Sequence, residues 1–277
     1  MEPENNSGIA SQILTNGFLL ALKKFEPDIY ALKKAEVSFN KFKQDSHEYY
    51  SKGMTALKER CPNHPLLLPF GLFRVTGHDR LETAHTRAIS WFINPRGAHG
   101  FKATLLESLL REIDPGAKDL ILGDVREVSA EKSIMVGRES RRMDIWAEGD
   151  WKTETGEKKP WLLWIEAKVD ARIGDGQLEA YSRKAAEYKN HDRKYMVFLK
   201  PAGRNRERIP DGWLSLTFEQ LAAIFHEASL ASGYEPGLAM LRYYLAGVYE
   251  SIVGHDLPFP DDFANPHHLL NTLKARV

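Results

Sequence analysis

A chain of 277 residues with 43% hydrophobic and 27% charged residues can bury a sizeable core, which sets aside the disordered and fibrous classes. Its 38 Lys and Arg residues balance 38 Asp and Glu, so no global positive field draws it to nucleic acid and any charged partner must be held locally. No apolar run reaches the roughly 18 residues of a membrane span, and the polar start MEPENNSG with a lone cysteine, Cys61, reads as a cytoplasmic-type chain in a reducing compartment. Length alone leaves open one elaborated α/β domain or two domains.

Residues 12–45 carry Phe18, Leu22, Phe25, Ile29 and Leu32 at helical spacing, interrupted by Pro27, which predicts two helices with a kink or turn. Residues 60–80 are rich in Pro and Gly without a clean period and read as a connector. The expected organisation is a helical N-terminal extension over 1–80, a main domain over 81–255 and a tail over 256–277. Residues 82–93 place Ala84, Ala88, Trp91 and Phe92 on one helical stripe and Glu82, Thr86 and Ser90 on another face. NPRGAHG breaks that helix, and a second follows with Phe101, Leu105, Leu109 and Ile113 in step before Asp114-Pro115-Gly116.

The period then changes to two. Val128, Ala130, Ile134 and Val136 alternate with polar neighbours, as do Met143, Ile145 and Ala147, and WLLWIEAKV is an apolar run of strand formers. Three consecutive strands follow, the last two joined by a polar hairpin connection. Leu178, Tyr181, Ala185 and Tyr188 predict a helix, and YMVFL at 195–199 a strand buried on both faces. Thr217 and Gln220 give a capping-box signature for another helix, and Leu238, Leu241, Leu245, Val248 and Ile252 one more.

Residues i and i+2 of a strand share a face, so Glu166 and Lys168 project together. Antiparallel pairing of the preceding strand could bring Asp144 near Glu166. Two carboxylates, a lysine and a backbone carbonyl suit a hard divalent cation such as Mg²⁺, which takes oxygen ligands, keeps waters and shares a substrate phosphate. Together they would stabilise negative charge developing on a phosphoryl group.

Asp144, then Glu166-Ala167-Lys168 at the end of an apolar strand, then Gln177 and Tyr181 in GQLEAY, resemble the PD-(D/E)XK nuclease superfamily and the QxxxY spacing of its exonuclease-like branch. HTRAISWFINPRGAHG upstream is similar to the helix and turn opening an uncharacterised bacterial subfamily. The resemblance covers roughly residues 82–220, and it departs in lacking the proline before the aspartate. It implies a restriction-endonuclease-like α/β fold, a mixed sheet flanked by helices with an αβββαβ core. It implies hydrolysis of DNA phosphodiester bonds with Mg²⁺ or Mn²⁺, water attacking phosphorus in line to leave 5′-phosphate and 3′-hydroxyl ends. By position, Asp144, Glu166 and the Ala167 carbonyl would ligate the metal, and Lys168 would orient water or stabilise charge. Gln177 and Tyr181 would position substrate backbone or water, and Glu82 would complete the site, with Glu131 a weaker candidate. Two sites for double-strand cutting would make a homodimer reasonable.

Arg138, Arg141, Arg142 and Arg172 are candidate contacts to nucleic acid, and residues 183–208 carry nine basic against three acidic residues. Such contacts hold a backbone without reading sequence. The plainer readings make these arginines a solvated rim, Tyr181 and Tyr188 core aromatics, and His99 a turn-shaping residue. Cys61 and His64 lack a second pair for zinc, and Gly174 and Gly176 lack a phosphate-cradling fingerprint, so ATP is not expected. The competing functions are a non-catalytic nucleic-acid-binding or assembly module and an RNA-directed nuclease. The motifs do not separate defence from repair.

Overall fold

The computed structural model describes residues 57–202, 209–231 and 234–254, together with Glu48, Ser51, Lys52 and Thr55. The helices expected over 12–45, the tail from 256 and Arg204, Arg206 and Arg208 lie outside the described residues. The chain divides into two units, Met1–Ala56 and Leu57–Val277. In the first, the four described residues are helical and Lys52 pairs with Glu48 at 2.6 Å.

The second unit carries, among the described residues, a five-stranded sheet in the order β1-β2-β3-β4-β5. Strands β1 (Ile121–Val136), β2 (Glu139–Lys152) and β3 (Lys158–Ala167) pair antiparallel in sequence, whereas β4 (Arg193–Lys200) and β5 (Trp213–Thr217) add on in parallel. The β2–β3 hairpin closes at Gly156, whose φ of +82° suits a residue without a Cβ. Parallel pairing of β3 with β4 needs a crossover, and α3 (Gln177–Ala186) supplies it.

Helices α1 (Glu82–Ile93), α2 (Thr104–Ile113), α4 (Phe218–Ser229) and α5 (Glu235–Gly247, continued by the π-helical Val248–Val253) bury one sheet face. That core includes Ile89, Leu105, Leu109, Ile145, Leu163, Ile165, Val197, Phe225 and Leu241. The other face packs Met143, Trp146, Trp164 and Phe198 against Leu178, Tyr181 and Ala185 of α3. A mixed sheet flanked by helices is the restriction-endonuclease-like α/β architecture the motifs implied. The capping box at α4 forms as read, Gln220 N–H donating to Thr217 Oγ1 and the Gln220 side chain accepting from Thr217 N–H.

Two local expectations are corrected. Helix α1 buries His85, Thr86, Ile89, Ser90, Phe92 and Ile93, while Trp91 is 36% exposed and lines a surface groove of about 620 Å³ with Ala84 and Ala88. Two of the inward polar groups find partners, His85 Nε2 meeting the Asp79 carbonyl at 2.8 Å and Thr86 Oγ1 donating to the Thr83 carbonyl, whereas His85 Nδ1 and Ser90 Oγ are buried without one. Secondly, the alternation along β1 and β2 does not run through. Val128, Ile145 and Ala147 belong to the first core, but Ile134, Val136 and Met143 to the second. Both strands change face between the pairs Ala130↔Ile145 and Lys132↔Met143, where Glu131 takes a left-handed φ of +54°.

Candidate active site

The change of face falls on Asp144, which leaves the alternating pattern and turns its carboxylate toward the end of β3. There Asp144 Oδ2 accepts the Ala167 backbone N–H at 2.8 Å. Alternation within β3 sends Ile165 and Ala167 into the first core and Glu166 to the α3 side, where its carboxylate meets Gln177. Gly176, at φ +65°, turns the chain into α3 so that Gln177 occupies its first position. The Gln177 amide donates to Glu166 Oε1 at 2.6 Å and lies 3.5 Å from the Tyr181 hydroxyl. That hydroxyl donates to the Arg142 carbonyl at 2.8 Å, pinning β2 two residues before Asp144.

Lys168 Nζ sits among the acids, donating to Glu166 Oε1 at 2.6 Å, to the Ala167 carbonyl at 3.0 Å and to Glu82 Oε1 at 3.1 Å, with Asp144 Oδ2 at 3.9 Å. Glu82, at the start of α1, also accepts the Val169 backbone N–H through Oε2 at 3.3 Å. The sheet changes from antiparallel to parallel pairing at β3, and the crevice beyond the carboxyl end of such a strand is where α/β sheets hold ligands. An outer tie holds the loop: Arg80 grips Asp170 with both Nε and Nη2 and donates to the Ser251 carbonyl.

Burial pushes the Asp144 carboxyl up to about 6, against the pull of the Ala167 N–H and Lys168. Burial, then repulsion from Asp144, pushes Glu166 up to about 7 despite its contact with Lys168. Burial works against the Lys168 ammonium, but Glu166, Asp144 and Glu82 outweigh it and raise its pKa. Beside burial, the sharing of charge sets these directions. A single ammonium is shared by three carboxylates, so the lysine gains from all of them while each acid receives only part of its charge. The cluster thus carries excess negative charge.

That excess is the test of fit for a cation. Glu166 Oε2 is buried without a hydrogen-bond partner, because Lys168 and Gln177 both engage Oε1. A buried unpaired carboxylate oxygen is costly, and a hard divalent ion satisfied by one or two carboxylates, a carbonyl and waters matches this donor set. Among the described residues no three His, Cys, Asp or Glu side chains are arranged to hold a metal by themselves, so waters or substrate oxygens would fill the remaining positions.

The sequence-derived residues divide clearly. Asp144, Glu166, Ala167, Lys168, Gln177 and Glu82 converge, and Tyr181 joins them through Gln177 and Arg142 from within the second core. Glu131 reaches the rim, its charge acting on Asp144. Arg142 lies there too, donating to Glu131 Oε2 at 2.8 Å. Arg141 pairs with Glu139 along the hairpin at 3.0 Å, and Arg138 and Arg172 are exposed. His99 shapes its turn as read, accepting the Phe101 N–H at 3.1 Å and contacting the Asn94 carbonyl. Arg87, which approaches Glu131 from α1, and the Arg80–Asp170 tie carried no local signal, since their partners are distant in sequence.

In comparison with known proteins, the profile of the PD-(D/E)XK nuclease superfamily matches residues 70–240. A solved structure of MspJI restriction endonuclease in complex with a 27-mer oligonucleotide aligns at 13% identity and a TM-score of 0.29. The alignment spans 68% of this chain and 39% of that one, a likeness too slight to bear on function. No protein of curated function matches in sequence.

Proposed function

The chain belongs to the PD-(D/E)XK nuclease superfamily, and from that premise we propose that it is a nuclease hydrolysing phosphodiester bonds of DNA with Mg²⁺ or Mn²⁺. The observation that carries the reading is the convergence of Asp144, Glu166 and Lys168 around Ala167, with Glu166 Oε2 left unpartnered. In this reading Asp144, Glu166 and the Ala167 carbonyl hold the cation, which when bound supplies Lewis-acid stabilisation of the phosphoryl oxygens and lowers the pKa of water.

The remaining chemistry belongs to the chain. Lys168 is kept charged by its three acids and offers an ammonium to the attacking water or to the charge developing on the phosphoryl group. Gln177 holds Glu166 by Oε1 and leaves Oε2 without a protein partner. Tyr181 acts at one remove, fixing the strand that carries Asp144. Gln177 and Tyr181 are therefore positioning residues rather than substrate contacts. Glu82 anchors Lys168 and the backbone of Val169. A homodimer in a cytoplasmic setting is the assembly this reading takes for double-strand cutting. No helix among the described residues is long and apolar enough to cross a membrane.

The test is incubation of the purified chain with supercoiled, linear and single-stranded DNA and with RNA, in Mg²⁺, Mn²⁺ or EDTA. Divalent-dependent loss of DNA is expected, and the DNA form consumed reports whether an end is needed. Cleavage confined to RNA would replace the substrate. No cleavage of any substrate by the folded chain would favour a binding or assembly module.

A further inference from the structure

Beside the acid cluster lies a second convergence, of side chains to which the proposed chemistry gives no part. Glu131 falls between the pairs Ala130↔Ile145 and Lys132↔Met143, level with Asp144, at a φ of +54°. For a side chain with a Cβ this conformation is sparsely populated and must be held by its surroundings. Two guanidinium groups from different elements meet its carboxylate. Arg142 Nη1 of β2 donates to Glu131 Oε2 at 2.8 Å, and Arg87 Nη2 of α1 lies 3.9 Å from the same oxygen. Both arginine side chains are 70% exposed and Glu131 is 15% exposed. Ion pairs this open to water contribute little to stability, so they do not explain why a strained acid gathers them.

We propose that Arg87 and Arg142, collected on Glu131, form a grip for a backbone phosphate flanking the bond that is cut, an inference that rests on the nuclease reading. Each guanidinium presents a planar fork of donors, of which Glu131 engages one oxygen's worth, and such forks match phosphate oxygens bidentately. Glu131 offsets their mutual repulsion while the phosphate is absent and keeps both in place for it. The supports also fit. Arg87 shares α1 with Glu82, and Arg142 stands two residues before Asp144 with its carbonyl held by Tyr181. A phosphate in the grip is therefore indexed to the acid cluster by the two elements that build it. Arg138 and Arg141 have no such convergence.

The experiment measures binding of a fluorescein-labelled DNA duplex to the full chain in EDTA, where no divalent-dependent cleavage intervenes, by anisotropy over a series of salt concentrations. Wild type is compared with Arg87→Ala, Arg142→Ala, the double variant and the remote Lys118→Ala. Both arginines are exposed, so truncating them should leave the chain folded, which circular dichroism of each variant checks. The grip predicts several-fold weaker binding for each arginine variant, and a slope of log K against log salt that is shallower by about one for each phosphate no longer neutralised. Lys118→Ala should match wild type. Arginine variants that keep wild-type affinity and slope overturn the grip while leaving the nuclease reading standing. Wild type that binds no duplex at any salt also overturns the grip, while the nuclease reading is decided separately by the cleavage assay in Mg²⁺ or Mn²⁺.

Discussion

Lys168 is the residue on which the acid cluster depends, because its one positive charge is divided among Glu82, Asp144 and Glu166. Asp144 and Glu166 have folded pKa values raised above those of the unfolded chain. The sign follows from linkage: their contribution to metal-free stability is fully present below the unfolded values, near pH 4, and is lost as pH rises through about 6 and 7. Asp144→Asn removes one of the repelling charges. In EDTA at pH 8 it should melt above wild type, by about 2–4 °C for each kcal/mol relieved, and the gap should close toward pH 4. Adding Mg²⁺ should raise the wild-type melting temperature at pH 8 and barely move the variant. A variant that melts below wild type at pH 8 in EDTA would contradict this electrostatic account.

At the scale of elements, the site is a junction of α1, β2, β3 and α3, and the junction explains what could be read in advance. The order of strands and helices was legible because each long element carries its own period, and because Glu166 and Lys168 share a face by strand geometry alone. The placement of Asp144 was only half legible. Alternation set Met143 and Ile145 on one face, whereas the change of face at Glu131 and Asp144 puts them in different cores. Short-range patterns cannot announce such a break, since it depends on how two strands twist together. Strand β5 is five residues long, too short for a period to register, and the buried face of α1 was obscured by its inward His85, Thr86 and Ser90. The tie from α3 to β2 can be tested alone. Tyr181→Phe deletes the donor to the Arg142 carbonyl, which should cost about 1 kcal/mol by denaturant unfolding. It should lower kcat with little change in KM, because the hydroxyl steadies Asp144 without touching substrate. A change in KM alone would place the hydroxyl on the substrate instead.

At the scale of the whole molecule, a chain with no net charge concentrates its electrostatics where two kinds of sheet pairing meet. The antiparallel β1–β2–β3 hairpins deliver Asp144 and Glu131, and the parallel addition of β4 opens the end of β3 where Lys168 N–H donates to the Leu199 carbonyl. Long-range partners complete the arrangement: Glu82 reaches Lys168 across 86 residues and Arg80 reaches Asp170 across 90. No local motif contains these pairs, so the sequence pointed to Glu82, Gln177 and Tyr181 by family position but not to the contacts they make, and not to the Arg80–Asp170 tie at all. The central claim is that this cluster cuts DNA, and single-turnover cleavage of labelled DNA by wild type and Lys168→Ala in Mg²⁺ tests it most directly. The account predicts divalent-dependent cleavage by wild type, abolished by EDTA and slowed about a hundredfold or more in the variant, the usual cost of losing a group that stabilises transition-state charge. Equal rates for folded wild type and Lys168→Ala would contradict it.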